Sequence, residues 1–408
     1  MFETIGKAIH TFSSWLNLPL FITLIGGGLF FMIYSGFVPL RYYGRALKAV
    51  GVKEEGAAGQ ISSFQALTSA IAATVGLGNI SGVAVALTIG GPGTIFWMWV
   101  SACLGMATKF FEGTLAIMFK GKDSKGELQG GTMYMITEGL GKKWKPLAVL
   151  FSIFGMVGTF CLMQSNQLTE ALQTVIFTPA GIQNTIWVRL AVGLFIAGIV
   201  SLVVLGGINR IARVASLIVP FMVGFYFLLV LYIILTNLSV VPEVFSSIFN
   251  QAFTLKSGLG GLAGSAIVIG ARRAAFVNEA GVGTATMMHG ASKNSEPVRE
   301  GLVAMIAPSI DSGLVCTLTA LAVLINAQYT VSDVQGMQMV MESFERSIPG
   351  WGSTLLMIVV LAFSFSTMFS YSYYGTKCTN FLFGAHRAHY YNYLFLATLV
   401  MGAVIPLT

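Results

Sequence analysis

The stretch TVGLGN, residues 74–79, places two glycines, a hydroxyl group and a side-chain amide in the middle of a long apolar run. Gly76 and Gly78 allow the backbone to leave helical geometry and to approach a ligand closely. Thr74 and Asn79 offer oxygen atoms, the ligands that a hard cation prefers. The stretch therefore predicts a helix break that binds a ligand. The alternative is that the glycines only allow neighbouring helices to pack closely.

A second stretch, FVNEAGVG at residues 276–283, interrupts a later apolar run in the same way. Phe276 and Asn278 are its candidates for contact with a ligand. The stretch lies five apolar segments after the first, and the two segments cross the membrane in opposite directions. Two inverted five-segment repeats, each with a discontinuous first helix, produce that arrangement. The competing interpretation is a cytoplasmic loop that begins near Arg272.

Acidic residues within apolar runs are further candidates. Glu112 follows Lys109 by three residues, which favours a structural ion pair on one helix face. Asp311 lies deeper in its run, where an acidic residue is by default a candidate ligand for a proton or sodium. The alternative is that neighbouring serines satisfy the Asp311 carboxylate with hydrogen bonds. For Glu279 we expect a structural role, either paired with a basic residue or capping backbone N–H groups.

The composition places these elements in a membrane. Of 408 residues, 55% are hydrophobic and only 10% are charged, and the mean hydropathy is +0.79. A soluble protein of this length needs more polar surface than that. Apolar runs of about 20 residues, each long enough to span a bilayer, recur along the chain. We predict an all-α polytopic membrane protein with a single transmembrane domain.

The apolar runs divide this domain into three parts. Residues 16–40 form a preceding helix, 63–237 the first repeat and 257–408 the second repeat. Because the chain stops directly after an apolar run, we expect the second repeat to lack its last helix. The predicted segments are 16–40, 63–90, 93–119, 146–174, 186–206, 211–237, 257–277, 299–326, 352–375 and 389–407.

The distribution of basic residues predicts the orientation. Most of the 23 Lys and Arg residues fall in connections on one side, which include residues 41–53, 120–145 and 272–299. The positive-inside rule makes that side cytoplasmic. The N-terminus is then expected outside, in a plasma or inner cell membrane. The same asymmetry explains the sequence pI of about 9.2 without a nucleic-acid partner.

The sequence contains no pattern typical of an enzyme or a structural metal site. The four cysteines are not spaced as CxxC pairs, and the four histidines form no HExxH or i,i+4 pair. A nucleophile–base set is also absent. We therefore expect no catalytic residue, no cofactor and no metal other than a transported ion.

Several blocks resemble a known family. GGPGTIFWMWVSACLG, residues 90–105, closely matches the signature of the alanine or glycine:cation symporter family, also called sodium:alanine symporters. FVNEAGVGTA, MQSN and SYYGTKC are similar to further blocks of that family, and the resemblance covers most of residues 16–390. It implies the leucine-transporter-like fold of the amino-acid–polyamine–organocation superfamily, in which one helix precedes a five-plus-five repeat.

VGLGN, residues 75–79, is also similar to the unwound first core helix of the neurotransmitter:sodium symporters. This similarity implies that the N–H groups of Gly76, Leu77 and Gly78 meet the carboxylate of an amino acid. It further implies that the carbonyl groups of Ala72 and Val75 contact one sodium ion.

The resemblance extends the predicted site to two other helices. Ser366 and Thr367 match the positions whose hydroxyl groups complete that sodium site; without the resemblance, bonding to the i−4 carbonyl explains both hydroxyls. Gln164 in MQSN resembles a position that faces the substrate. Tyr371 shares a helix face with Thr367, and the family commonly has tryptophan there, so preference for alanine or glycine stays open.

Together these features predict a secondary active symporter, which carries sodium and a small neutral amino acid by alternating access. A channel requires a continuous polar pore, and the sequence has few charges to line one. Two alternatives remain within transport. One is a proton-coupled transporter of the same fold that uses Asp311, and the other prefers a larger neutral amino acid such as glutamine.

Overall fold

Long apolar helices form the framework, in agreement with the predicted all-α membrane class. The computed structural model describes residues 19–52, 59–253, 266–326 and 336–405. Within these ranges six helical stretches are long and apolar enough to cross a membrane, and a bent pair of helices makes a seventh. The six are Gly93–Met118, Lys142–Phe177, Ile186–Val204, Gly207–Thr236, Pro297–Ile325 and Gly352–Phe383.

The first part of the chain contains the bent pair. Ser62 begins its first helix with a capping box, in which the hydroxyl accepts from the Gln65 N–H and the Gln65 side chain accepts from the Ser62 N–H. The two helices of the pair meet at an angle of 45°. The helices of this part are α1 (Pro19–Tyr34), α2 (Val38–Arg41), α3 (Tyr43–Ala49), α4 (Ser63–Thr74), α5 (Leu77–Gly90) and α6 (Gly93–Met118).

The polar connection after α6 is ordered. Strands β1 (Gly121–Lys122) and β2 (Leu128–Gln129) form an antiparallel hairpin, and the short helix α7 (Thr132–Tyr134) follows. A π-helical turn at Met135–Leu140 and a 3-10 turn at Lys142–Trp144 lead into the next long helix. The connection is therefore a structured cap on the helix bundle.

The middle of the chain completes the predicted first repeat. A π-helical turn at Gln173–Phe177 extends helix α9 (Leu162–Leu172). Pro220 lies inside helix α11 (Gly207–Thr236) without ending it. The helices are α8 (Lys145–Gly158), α9 (Leu162–Leu172), α10 (Ile186–Val204), α11 (Gly207–Thr236) and α12 (Val241–Gln251).

The last part of the chain contains a second interruption. Helix α13 (Ala266–Asn278) stops at the predicted position, and α14 (Ala285–His289) begins after a turn with positive φ at Glu279, Gly281 and Gly283. A π-helical turn at Ser309–Val315 joins the next two helices. These and the remaining helices are α15 (Pro297–Ala304), α16 (Cys316–Ile325), α17 (Met337–Ser347), α18 (Gly352–Phe383), α19 (Ala385–Ala388) and α20 (Tyr390–Val404).

Helices from both ends of the chain pack against each other. Helix α6 lies along α13 and α15, and α4 packs against α11 and α18. Helix α20 packs against α9 and α10. Each interrupted helix is thus held by a long helix: α18 supports the bend between α4 and α5, and α6 supports the turn after α13.

Both predicted helix breaks are confirmed, and the competing interpretation of the second one, a loop that begins near Arg272, is wrong. Arg272 and Arg273 do not begin a cytoplasmic loop, because both lie inside α13. The side chain of Arg273 points to the first break rather than to a loop. The predicted segment at 257–277 begins outside the described residues, which resume at Ala266.

Candidate functional site

The first break replaces one turn of helix between α4 and α5. Val75 ends α4 with an N–H bond to Ile71, and Gly76 adopts an extended conformation with φ −141° and ψ −163°. In a continuous helix the Gly76 N–H would bond the carbonyl of Ala72. Here it bonds the side-chain oxygen of Asn79 at 3.0 Å. The Ala72 carbonyl therefore loses its helical partner, as a cation ligand must.

The Asn79 side chain serves the break itself. It accepts from the Gly76 N–H, and its Nδ2 donates to the carbonyl of Asp311 at 3.4 Å. The backbone carbonyl of Asn79 accepts from the Thr319 hydroxyl at 2.9 Å. Asn79 is fully buried. Its side-chain amide thus stabilises the unwound turn and ties it to the π-helical turn at Ser309–Val315, and its backbone carbonyl ties it to α16.

The predicted sodium ligands on α18 lie beside this break. A Cβ added to Gly76 would stand 2.7 Å from the hydroxyl oxygen of Thr367. Thr367 and Ser366 both donate to the carbonyl of Phe363 at 3.0 Å. Thr367 thus makes the i−4 back-bond that the sequence offers as an alternative explanation, whereas Ser366 bonds the i−3 carbonyl. Both bonds consume the hydroxyl hydrogens and leave oxygen lone pairs for a cation, so the two interpretations are compatible.

A buried carboxylate lies next to the same turn. Asp311, in the π-helical turn, is fully buried, and its Oδ1 accepts from the N–H of Ser312. The hydroxyl of Thr74 lies close enough to interact with the carboxylate. Among the described residues, Oδ2 of Asp311 has no hydrogen-bond partner. An unpaired carboxylate oxygen inside a membrane bundle is a candidate ligand for a proton or a cation.

The second break is held by two charged side chains of α6. Glu112 accepts from the N–H groups of Gly281 at 2.9 Å and Gly283 at 3.2 Å. Lys109 pairs with Glu112 at 3.3 Å and donates to the carbonyl of Glu279 at 3.2 Å. The predicted Lys109–Glu112 pair is confirmed, and its position explains why it is buried: the two charges satisfy backbone groups that the break leaves without helical partners.

The carboxylate of Glu279 connects the second break to α18. It accepts from the Tyr371 hydroxyl, and its other oxygen accepts from the Thr284 hydroxyl at 2.5 Å. The expectation that this side chain pairs with a basic residue or caps N–H groups is wrong. Its partners are hydroxyl groups, and Lys109 contacts only its backbone carbonyl. Tyr371 lies one turn after Thr367, so α18 contacts both breaks.

Arg273 links the two broken helices directly. Its guanidinium donates to the carbonyl of Gly78 at 2.8 Å and lies where a Cβ at Gly82 would otherwise be. The sequence alone does not explain this arginine, because the charge does not show that a carbonyl of another helix lies opposite. The glycine at 82, one turn after Gly78, is the only local signal that a large side chain packs there.

The remaining predicted residues lie on α13, α9 and α5. Asn278 points to α6: its Oδ1 accepts from the Ala280 N–H at 3.0 Å, and its Nδ2 lies against Gly105. Phe276 is 75% exposed and lines a cavity of about 340 Å³ between α5 and α13. Gln164 is half-buried on α9, which packs against α18 and α20. Leu77 is buried at the start of α5.

The arrangement can bind a cation and a carboxylate without covalent chemistry. Carbonyl groups at the end of α4 and hydroxyl groups of α18 supply oxygen atoms, which suit sodium. The N-terminus of α5 supplies N–H groups and a positive helix end, which suit a carboxylate. These are the elements of a transport site at two discontinuous helices.

Comparisons with known proteins find a family model and relatives that match most of the chain. A model of the sodium:alanine symporter family matches residues 2–408. The sodium/alanine symporter AgcS of Methanococcus maripaludis is 37% identical over 410 residues, 98% of this chain and 88% of AgcS. The probable sodium/glutamine symporter GlnT of Bacillus subtilis is 34% identical over 398 residues, 96% of this chain and 80% of GlnT.

A solved transporter has a similar fold. It is Mhp1, a nucleobase-cation-symport-1 family transporter in a closed conformation with bromovinylhydantoin bound. The TM-score is 0.55, with 11% identity over 86% of this chain and 74% of Mhp1. At that identity the likeness concerns the fold alone.

Proposed function

Because the chain belongs to the sodium:alanine symporter family, we propose that it couples sodium influx to the uptake of a small neutral amino acid such as alanine or glycine. The family consists of transporters, so the chain is not an enzyme, and it is a multi-pass membrane protein. We place its N-terminus outside a plasma or inner cell membrane. We further propose one helix before an inverted five-plus-five repeat, with 63–237 and 257–408 as the repeats.

The contact between Thr367 and Gly76 is the observation that carries this proposal. It brings a hydroxyl oxygen of α18 to the unwound turn where the Ala72 carbonyl has lost its helical partner. We assign Ala72, Val75, Ser366 and Thr367 to sodium. One ion at this place joins α4 to α18, so its binding favours one arrangement of the two helices.

We assign the amino acid to the other side of the same turn. Its carboxylate meets the N–H groups of Leu77 and Gly78 at the start of α5, where the helix dipole favours negative charge, and takes the Gly76 N–H by displacing the side-chain oxygen of Asn79. Thr74, Asn79, Gln164, Phe276, Asn278, Thr367 and Tyr371 complete the proposed substrate site. The hydrogen bond from Tyr371 to Glu279 makes pocket size depend on the second break, and so couples selectivity to its conformation.

The driving force is adequate for accumulation. At 100 mV the entry of one charge supplies about 2.3 kcal/mol. A tenfold sodium gradient adds about 1.4 kcal/mol. Together they sustain roughly 500-fold accumulation of a neutral amino acid.

Proton coupling is the second candidate, because Oδ2 of Asp311 has no partner among the described residues. A proton on this carboxylate would replace the missing partner. Uptake driven by a pH step in sodium-free buffer, abolished by Asp311→Asn, supports this alternative. Dependence of uptake on sodium at constant pH excludes it as the sole coupling mode.

The deciding experiment is uptake of labelled alanine by proteoliposomes with an inward sodium gradient, and potassium in place of sodium as the control. Accumulation above equilibrium only with sodium supports the proposal. Competition by unlabelled glycine, serine and glutamine then ranks substrates, since one relative is named for glutamine. Equal alanine entry with sodium and potassium, without accumulation, overturns sodium symport.

A further inference from the structure

A small pocket, lined by polar side chains of α18 and by apolar side chains of α11, lies near the end of α18 on the predicted cytoplasmic side. Lys377, which lines it, follows Thr367 by ten residues, a separation of about 15 Å along the helix. The pocket has a volume of about 170 Å³, which suits only a small ligand. Its walls come from the start of α11, the end of α18, Gln60, Gln129 and Asn392.

The pocket contains a buried lysine without a carboxylate partner. Lys377 is 5% exposed, donates to the side-chain oxygen of Gln129 and lies 5.3 Å from the ring centroid of Tyr373. In the described part of the chain, no Asp or Glu oxygen lies within ion-pair distance of its ammonium group. A lysine ammonium has three donors, and burying it without a counter-charge is costly. An anionic ligand removes that cost.

The amides beside Lys377 are oriented by a carboxylate on the hairpin. Asp123 accepts from Gln129 Nε2 at 2.8 Å and from Asn380 Nδ2 at 3.2 Å. Because both NH₂ groups face Asp123, both amide oxygens face away from it. The Gln129 oxygen bonds Lys377, whereas the Asn380 oxygen is buried with no partner in the described ranges. That oxygen is an acceptor available to a positively charged group.

A further unpartnered group lies in the same wall. The Tyr373 hydroxyl is buried and has no hydrogen-bond partner among the described residues. Each such group costs about 1–3 kcal/mol when it is left unsatisfied. The pocket therefore offers two donors, on Lys377 and Tyr373, and one acceptor, on Asn380. A carboxylate and an ammonium group on one small molecule match this set.

These residues continue a stripe that begins at the proposed sodium site. Ser366, Ser370, Tyr373, Lys377 and Asn380 follow at spacings of four, three, four and three, so they share one face of α18. The Ser370 hydroxyl, between the two sites, is also buried without a partner in the described ranges. The stripe connects the two sites with polar groups.

We propose that this pocket is a second binding station for the transported amino acid, with its carboxylate on Lys377 and Tyr373 and its ammonium group on Asn380. The inference rests on the proposed function, because it takes the ligand to be the transported zwitterion. The station receives the amino acid after it leaves the helix breaks and before it enters the cytoplasm.

The test is equilibrium binding of labelled alanine to purified protein in saturating sodium. We expect the parent chain to bind two alanine molecules. Tyr373→Phe removes one hydroxyl that no neighbour uses, so folding is preserved while the second site weakens about tenfold, as loss of a hydrogen bond to a charged group predicts. Lys377→Met should abolish the second site and leave the first unchanged.

The matched control is Tyr374→Phe. Its hydroxyl is also buried without a partner in the described part of the chain, but it does not line the pocket. This variant should retain both sites with unchanged affinity. Acetate and inorganic phosphate are added as competitors, to separate a zwitterion from a free anion.

Three outcomes overturn the inference. If the parent binds one alanine and neither Lys377→Met nor Tyr373→Phe changes that binding, the second station does not exist and the proposed function is unaffected. Displacement of the second labelled alanine by acetate or phosphate as readily as by unlabelled alanine makes the pocket an anion site instead. Absence of alanine binding by the parent overturns the proposed function, and the station with it.

Discussion

The hydroxyl of Thr367 occupies the space that a side chain at Gly76 would need, at the interface between α18 and the first helix break. A Cβ at position 76 would stand 2.7 Å from the hydroxyl oxygen, closer than side chains tolerate. The backbone at Gly76 is extended, a conformation open to any residue. Glycine is therefore required here because a larger residue has no room for its side chain, and not because of the backbone conformation.

Gly76→Ala is expected to lower sodium-driven uptake at least tenfold, because the added methyl group pushes Thr367 out of the proposed sodium site. Uptake of labelled alanine in proteoliposomes measures this. Gly78→Ala is the matched control, since its Cβ would meet only the Arg273 guanidinium at 3.6 Å, an ordinary contact. Equal losses in the two variants would show that the contact with Thr367 is not the cause.

Thr367→Val keeps the shape of the side chain and removes its oxygen. The sodium concentration for half-maximal uptake should rise about tenfold, which corresponds to about 1.4 kcal/mol. Thr367→Ser restores the oxygen and should restore the parent value. Ser364→Ala, which loses only a back-bond to Val360, is the control on the same helix. An unchanged sodium dependence in Thr367→Val removes Thr367 from the sodium site.

Glu112→Ala should strongly destabilise the protein, because it leaves Lys109 and two backbone N–H groups buried without their partner. Breaking a buried pair from one side costs about 3–5 kcal/mol. The apparent melting temperature in detergent measures the loss. The double variant Lys109→Met with Glu112→Leu should recover part of it, since no lone charge remains.

The control for this prediction is the pair of Arg189 and Glu170, in which the glutamate side chain is 47% exposed. Glu170→Ala should change stability by less than about 1 kcal/mol, as exposed pairs do. Equal losses of stability in Glu112→Ala and Glu170→Ala would contradict the conclusion that Lys109 and Glu112 of α6 stabilise the second break.

The hairpin turn and its bond to Asn380 should loosen at acid pH. Burial alone raises the pKa of Asp123, but bonds from the Lys125 N–H, Asn380, the Glu127 N–H and Gln129 outweigh it, and hold the pKa below its ordinary value. A lowered pKa in the folded state stabilises the hairpin turn at all pH values above the ordinary value. That contribution disappears as pH falls below about 4.

Limited proteolysis across pH, with an acid-active protease, measures this loosening of the hairpin. Asp123→Asn should make the hairpin equally accessible over the whole range, whereas Glu127→Gln, an exposed neighbour, should behave as the parent. A parent hairpin that stays protected down to pH 2 would contradict the assignment to Asp123.

The residue sequence by itself determined the membrane class, the family and the positions of both helix breaks. These follow from local properties: apolar runs of spanning length, and glycines with polar neighbours inside them. Both breaks appear where the glycines predict them. The pair of Lys109 and Glu112 is also a local feature, because residues three apart on a helix are neighbours.

Only the tertiary structure decided which partners the polar groups of these elements have. Arg273 bonds the Gly78 carbonyl 195 positions away, and Tyr371 bonds Glu279 92 positions away. A carboxylate, amide or guanidinium inside a bundle takes whichever donor or acceptor the neighbouring helix brings to it. Spacing along the chain does not encode that neighbour, so the bracing of the breaks and the pocket at Lys377 emerge from helix packing.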